Sequence, residues 1–278
     1  MPRNHGRRRN AHSRPGRPHE AGQPSGHRGG HHGDHKASGG DTAGVWIWGI
    51  HPVEAALANP DRTLIELLAT ENAASRLPAG SPMPQIMTAK DIDTRLPPGS
   101  VHQGLALRAE PLEPVALEDL IDEGVSRIVV LDQVSDPHNL GAIYRSAAAF
   151  GFGGIVLQTR NAPPITGIVA KSAVGAIETV SEVRVVNISR ALEQLGEAGY
   201  HTVGLAGEGT ADIAKAVTGA TKLAIVLGAE GPGLRPGVAK ACAELARIPI
   251  SAAMESLNVS NAAAIAFYES ARNSFPGA

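Results

Sequence analysis

The chain has 278 residues, a formal net charge of −2 and one cysteine, Cys242. That length allows one or two domains with a sizeable core, and a lone thiol excludes an internal disulfide and any cysteine-rich zinc site. No apolar run approaches the ~20 residues of a bilayer-spanning helix, no apolar stretch follows the basic N-terminus as in a secretory signal, and aromatics at 3% argue against a surface of base-stacking platforms. A reducing cytoplasm is the expected location.

The net charge hides two regions. Residues 1–40 hold 8 Lys/Arg against 2 Asp/Glu and 7 of the 11 His, whereas the remainder holds 17 against 25. Rich in Gly and Pro and almost free of apolar residues, residues 1–43 cannot bury enough surface to fold alone and are read as a disordered basic arm. Loose attraction to a polyanion, most simply RNA or DNA, is its expected role; a solvated tail with no specific role stands beside that reading. His31, His32 and His35 lack a framework to fix metal geometry, so no metal is expected.

Ordered structure is expected from about Val45. A short strand leads to His51-Pro52, with Pro52 placed to open a helix, and strands are read at 63–70, 84–88 and 101–110 with short helices between them. Residues 44–110 thus form a small α+β domain, and 111–125 a linker ending in a short helix. From Arg127 the pattern alternates: strands at 127–134, 154–158, 182–188, 201–207, 222–228 and 245–250, helices at 139–150, 165–177, 189–198, 236–243 and 259–272. Apolar strands alternating with helices predict a mostly parallel α/β sheet covered on both faces, spanning 126–274. No internal repeat is read.

The familiar nucleotide fingerprints are missing. GLAGEG (204–209) has the wrong spacing for G-x-G-x-x-G, and no P-loop is present. Glycines do cluster after two strands, at Gly204, Gly207 and Gly209 and at Gly228, Gly231 and Gly233, where they permit either close backbone approach to a ligand or a tight turn.

Three segments join strand-like runs to turns dense in Gly, Asn, Ser or Pro: DPHNLGAIYRSAAAFG (136–151), VLGAEGPGL (226–234) and RIPISAAMESLNVSNAAAIAFYE (247–269). They bring Asn139, Arg145, Glu230, Ser256 and Asn258 to strand ends or the helices that follow, where open α/β sheets bind ligands. Taken singly, Asn139, Ser256 and Asn258 read as helix N-caps, Arg145 as a surface charge and Glu230 as a cap or orienting carboxylate. Taken together, they suit positioning a hydroxyl and a phosphate rather than covalent catalysis.

The segments NLGAIYR (139–145), VLGAEGPGL (226–234) and IPI…SLNVSNA (248–262) resemble, in order, the three motifs of the SpoU/TrmH family of RNA ribose 2′-O-methyltransferases. GIHPVEAAL (49–57) and HQGLAL (102–107) are similar to the small L30-like domain of its RlmB-like branch. The resemblance covers about 45–272. It implies a SPOUT α/β domain with a C-terminal trefoil knot, preceded by an L30-like RNA substrate-binding domain. It implies S-adenosylmethionine as cofactor, held near Leu205, Ala206, Gly207, Gly228, Ile248 and Leu257, and a homodimer in which one subunit's arginine helps form the other's site.

The implied reaction is methyl transfer to a ribose 2′-hydroxyl, that of a guanosine in 23S rRNA. Asn139, Arg145, Glu230, Ser256 and Asn258 would form the catalytic set, without a metal and away from any membrane. Arg145 is expected to anchor phosphate and orient the hydroxyl, because a guanidinium does not readily give up its proton to act as a base. A tRNA 2′-O-methyltransferase of the same family, an inactive RNA-binding or ribosome-assembly factor and a resistance methyltransferase are the other readings. Pro232 within the glycine-rich turn and the arm depart from the simplest family pattern.

Overall fold

Short apolar runs bounded by glycine, proline and capping residues set the element order in the computed structural model, which describes residues 44–160 and 162–272. The basic arm and its histidines lie outside the described residues. The first sheet has four strands: β1 (Val45–Trp48), β2 (Leu64–Ala69), β3 (Gln85–Ile86) and β4 (Leu105–Ala109), in the order β1-β4-β2-β3. β4 runs antiparallel to β1 and β2, and β3 adds a short parallel edge.

Helix α1 (Ile50–Ala58) follows β1 across Gly49, whose φ of 94° strains any residue with a side chain, and carries Pro52 in its first turn. α2 (Glu71–Ala74) and α3 (Ala89–Asp93) are each capped by a threonine, Thr70 and Thr88. Both run into the same turn, R-L-P-x-G-S, at 76–81 and 95–100. In each turn the serine hydroxyl donates to the proline carbonyl, at 2.8 Å in Ser81 and 2.7 Å in Ser100. This short internal repeat corrects the sequence reading, which had found none.

α4 (Leu117–Asp122) buries Leu117 and Leu120. The stretch before it is no free tether, because Val115 N–H donates to the Glu182 carbonyl at 2.8 Å. The second sheet has seven strands: β5 (Arg127–Asp132), β6 (Gly154–Gln158), β7 (Ser181–Val185), β8 (His201–Leu205), β9 (Ala211–Asp212), β10 (Leu223–Gly228) and β11 (Glu244–Arg247). Their order is β7-β6-β5-β10-β8-β11-β9, and every pair is parallel.

Parallel strands are covered on both faces, which is why Ile128 to Leu131 and Leu223 to Leu227 are buried without alternation. The covering helices are α5 (Pro137–Ala149), α6 (Gly167–Ala173), α7 (Ile188–Glu197), α8 (Ile213–Ala216), α9 (Pro236–Ala241) and α10 (Val259–Ala271). β9 and α8 were not anticipated; at two and four residues they are too short for a periodicity to show. Strand 182–188 ends at Val185 and strand 245–250 at Arg247, so the Ile-Pro-Ile run leaves the sheet. The expected helix 165–177 stops at Ala173, where Val174 turns left-handed (φ 54°), and a short 3-10 turn follows at Ala176–Glu178. Among the described residues no helix is long and apolar enough to cross a membrane.

The two sheets are joined by a buried ion pair. The Arg62 guanidinium donates from Nη2 to Glu178 Oε1 at 2.7 Å and from Nε to Oε2 at 3.1 Å, while Nη1 donates to the Glu110 carbonyl at 2.8 Å. Asn59 Nδ2 adds a bond to Glu178 Oε2 at 2.8 Å. The two charged side chains are 2% and 3% exposed. Close approach is possible because α6 begins at Gly167, where a Cβ would collide with the Trp48 ring and the Trp46 carbonyl.

Removing one member of such a pair leaves the other charge buried and unpaired, which costs ~3–5 kcal/mol. Glu178→Ala is expected to lower the unfolding free energy by that amount in urea titration. A loss below about 1 kcal/mol would show that the pair does not hold the two sheets together.

Candidate active site

Three segments meet at the carboxyl ends of β5, β10 and β11. After β5 the chain enters α5 through Asp136, which caps the helix by accepting the His138 N–H at 2.9 Å, with Pro137 in the first turn. Asn139 is therefore not the cap it was read to be; it sits inside the first turn, 7% exposed. Its Nδ2 donates to Asp136 Oδ2 at 3.2 Å and to Glu230 Oε1 at 2.9 Å.

Asn258 is the cap of α10, its Oδ1 accepting from Ser260 N–H at 2.9 Å and Asn261 N–H at 3.3 Å. Its Nδ2 donates to Glu230 Oε1 at 2.7 Å and to Asn139 Oδ1 at 3.0 Å. Asn139, Glu230 and Asn258 thus form a closed triangle in which both amides spend their hydrogens. Glu230 Oε1 takes two of them, and Oε2 has no hydrogen-bond partner among the described residues.

Glu230 is held there by its loop. Residues 229–235 leave β10 and turn back, with Gly233 N–H donating to the Ala229 carbonyl at 3.0 Å. The turn needs positive φ at Gly231 (82°) and Gly233 (69°). A Cβ on Gly228 would collide with the Gly233 backbone, so only glycine lets the loop fold onto the strand end. Its far end is pinned by Arg235, whose Nε donates to the fully buried Asp132 Oδ1 at 2.7 Å and whose N–H donates to Oδ2 at 2.9 Å. Neither partner was singled out from sequence; the one signal was an aspartate ending an otherwise apolar strand.

Beside the triangle lies a cavity of about 570 Å³, within the range of small-ligand sites. Leu205, Ala206, Gly207, Gly228, Ile248 and Leu257 all line it, as do Glu230, Ser256 and Asn258. A Cβ added to Gly207 meets nothing within 4 Å, so the loop leaves open space there. Ser256 is exposed and, contrary to its reading as a cap, lies outside α10.

Arg145 does not join this cluster. It is exposed, and its guanidinium makes no hydrogen bond or ion pair among the described residues. It lies six helical positions on from Asn139, about 120° around α5 and about 9 Å along it. Its neighbour Tyr144 fixes that orientation: the ring is 1% exposed and the hydroxyl donates to Glu182 Oε2 at 3.2 Å. Burial, and then the Glu182 carboxylate, hold the Tyr144 pKa well above its ordinary value. Cys242 supplies no nucleophile, since burial and then Asp132 push its pKa up to about 12. No group of three or more His, Cys, Asp or Glu among the described residues has metal-site geometry.

The two roles of Asn258 are separable. Asn258→Ser keeps a capping oxygen and is expected to stay within about 0.5 kcal/mol of the parent in thermal unfolding, whereas Asn258→Ala should lose about 1 kcal/mol. Equal losses would mean that the bonds to Glu230 and Asn139, not the cap, carry the stability.

The profile of the SpoU rRNA Methylase family matches residues 126–268. The chain is 38% identical over 240 residues to the 23S rRNA (guanosine-2'-O-)-methyltransferase RlmB of Vibrio vulnificus, covering 82% of this chain and 96% of that one. It is 43% identical over 178 residues to an uncharacterized tRNA/rRNA methyltransferase of Synechocystis, covering 60% of this chain and 45% of the relative. A crystal structure of an AdoMet-bound rRNA methyltransferase from Sinorhizobium meliloti aligns with a TM-score of 0.70 at 25% identity, over 84% of this chain and 88% of that one. By its sequence over more than half its length and by its fold, the chain belongs to the SpoU rRNA methylase family.

Proposed function

We propose that this chain transfers the methyl group of S-adenosylmethionine to the ribose 2′-oxygen of a guanosine in 23S rRNA. The observation that carries the reading is the cavity at the strand ends with the Asn139–Glu230–Asn258 triangle at its edge, in a chain 38% identical to the Vibrio vulnificus enzyme. The cavity fits the cofactor by volume and by its glycine-lined wall at Gly207 and Gly228. Leu205, Ala206, Gly207, Gly228, Ile248 and Leu257 would hold it. Bound there, the cofactor supplies a sulfonium methyl that an alcohol oxygen can displace directly.

The chain's own residues then orient the attacking hydroxyl. Glu230 Oε2 would accept its hydrogen bond; the two amides that donate to Oε1 support this by limiting rotation of the carboxylate. Ser256 adds a hydroxyl at the cavity wall. Arg145 anchors a phosphate of the RNA, and its position about 9 Å along α5 from Asn139 favours action in the site of a second subunit. A homodimer supplies that geometry. Support comes from α10, which packs on α5 and leaves Ile265 and Tyr268 38% and 51% exposed.

Three further features complete the reading. The four-stranded unit over 44–110 is an L30-like domain that selects the RNA, with the basic arm adding sequence-blind phosphate affinity. A C-terminal trefoil knot accounts for how the chain, leaving β11 near one sheet edge, returns through 248–258 to α10 on α5, α8 and β10. The reaction takes place in the cytoplasm, where rRNA is made and assembled.

Arg145→Ala should abolish methyl transfer to a 23S rRNA transcript while leaving S-adenosylmethionine binding by calorimetry unchanged. Mixing Arg145→Ala with Glu230→Ala subunits should restore part of the activity, since mixed dimers hold one intact site. Loss of cofactor binding in Arg145→Ala, or no recovery on mixing, would remove the role given to Arg145.

A further inference from the structure

The cavity has a second charged end. Among the residues that line it, the charged ones are Glu208, Glu230, Glu255 and Arg247. Arg247 is the last residue of β11, in register with Asp212 of β9; it is exposed, and its guanidinium makes no hydrogen bond or ion pair among the described residues. Its backbone neighbourhood is fixed, because Ala206 N–H donates to the Ala246 carbonyl at 3.0 Å and so lays the 205–207 loop beside it. β8 lies between β10 and β11, which places the ends of those two strands two strand spacings apart, about 10 Å. Glu230 and Arg247 therefore mark opposite sides of one small cavity.

We infer that Arg247 is a cofactor-binding residue, its guanidinium anchoring the α-carboxylate of the amino-acid tail of S-adenosylmethionine. The inference rests on the methyltransferase reading above and adds a residue to it. S-adenosylmethionine carries two cations, sulfonium and ammonium, and one carboxylate. The cavity offers three carboxylates and one guanidinium, so the single anion of the ligand has one complementary partner. A phosphate of the RNA is the poorer match, because a polyanion entering this cavity would meet Glu208, Glu230 and Glu255 as well. The guanidinium fork also suits a carboxylate, which it can bind through two parallel N–H···O bonds.

The test compares two ligands that differ only in that carboxylate, S-adenosylmethionine and decarboxylated S-adenosylmethionine, by calorimetry on the full chain. The parent protein should prefer the carboxylated form by about tenfold or more, the scale of one charge-assisted hydrogen bond. In Arg247→Gln the preference should fall to about one, through weaker binding of S-adenosylmethionine with the decarboxylated form unchanged. That unchanged binding also reports that the variant is folded, and Arg247→Lys should keep part of the preference. Equal weakening of both ligands, an unaltered preference, or a loss confined to RNA binding would each overturn the assignment. If the parent binds neither ligand, the methyltransferase reading itself fails and this assignment goes with it.

Discussion

One carboxylate oxygen ties the site together. Glu230 Oε1 accepts from Asn139 at the start of α5 and from Asn258 at the start of α10, while Glu230 itself comes from the loop after β10. Three segments far apart in the chain are thereby locked in register. The lock needs the Gly228–Gly233 approach and the Arg235–Asp132 pair behind it, since either determines where the loop presents Glu230. Hydrogen bonding fills the amide donors, so what remains for a ligand is Oε2 and the adjacent cavity wall.

The same logic of buried polar groups runs through the larger architecture. Arg62 and Glu178 join the small sheet to the parallel one and satisfy each other's hydrogen bonds almost completely out of water. The small sheet is thereby fixed against the parallel one rather than carried on a loose tether. Charged groups also stand at the two sides of the cavity, Glu230 after β10 and Arg247 at the end of β11.

Much of this was legible in the sequence, for physical reasons that also explain what was missed. Parallel strands such as 127–132 and 223–228 show as continuous apolar runs that alternate with stretches of helix length, so the α/β pattern could be read directly. Asn139, Glu230 and Asn258 stood out as polar residues at strand ends, but their mutual bonds are long-range and leave no local signature. The N-cap assigned to Asn139 belongs to Asp136, where the Asp-Pro pair had the better capping chemistry. Arg145 looked like a neighbour of Asn139 in sequence, yet helical geometry turns it away. Arg62–Glu178 and Asp132–Arg235 are pairs of distant residues that no spacing rule connects.

The measurement that bears most directly on this account is nucleotide-resolution mapping of ribose methylation in total RNA from cells with and without the chain. The account predicts one 2′-O-methylguanosine in 23S rRNA that disappears with the chain and returns with it. A chain-dependent methyl group in tRNA instead, or no chain-dependent ribose methylation in any RNA, would contradict it.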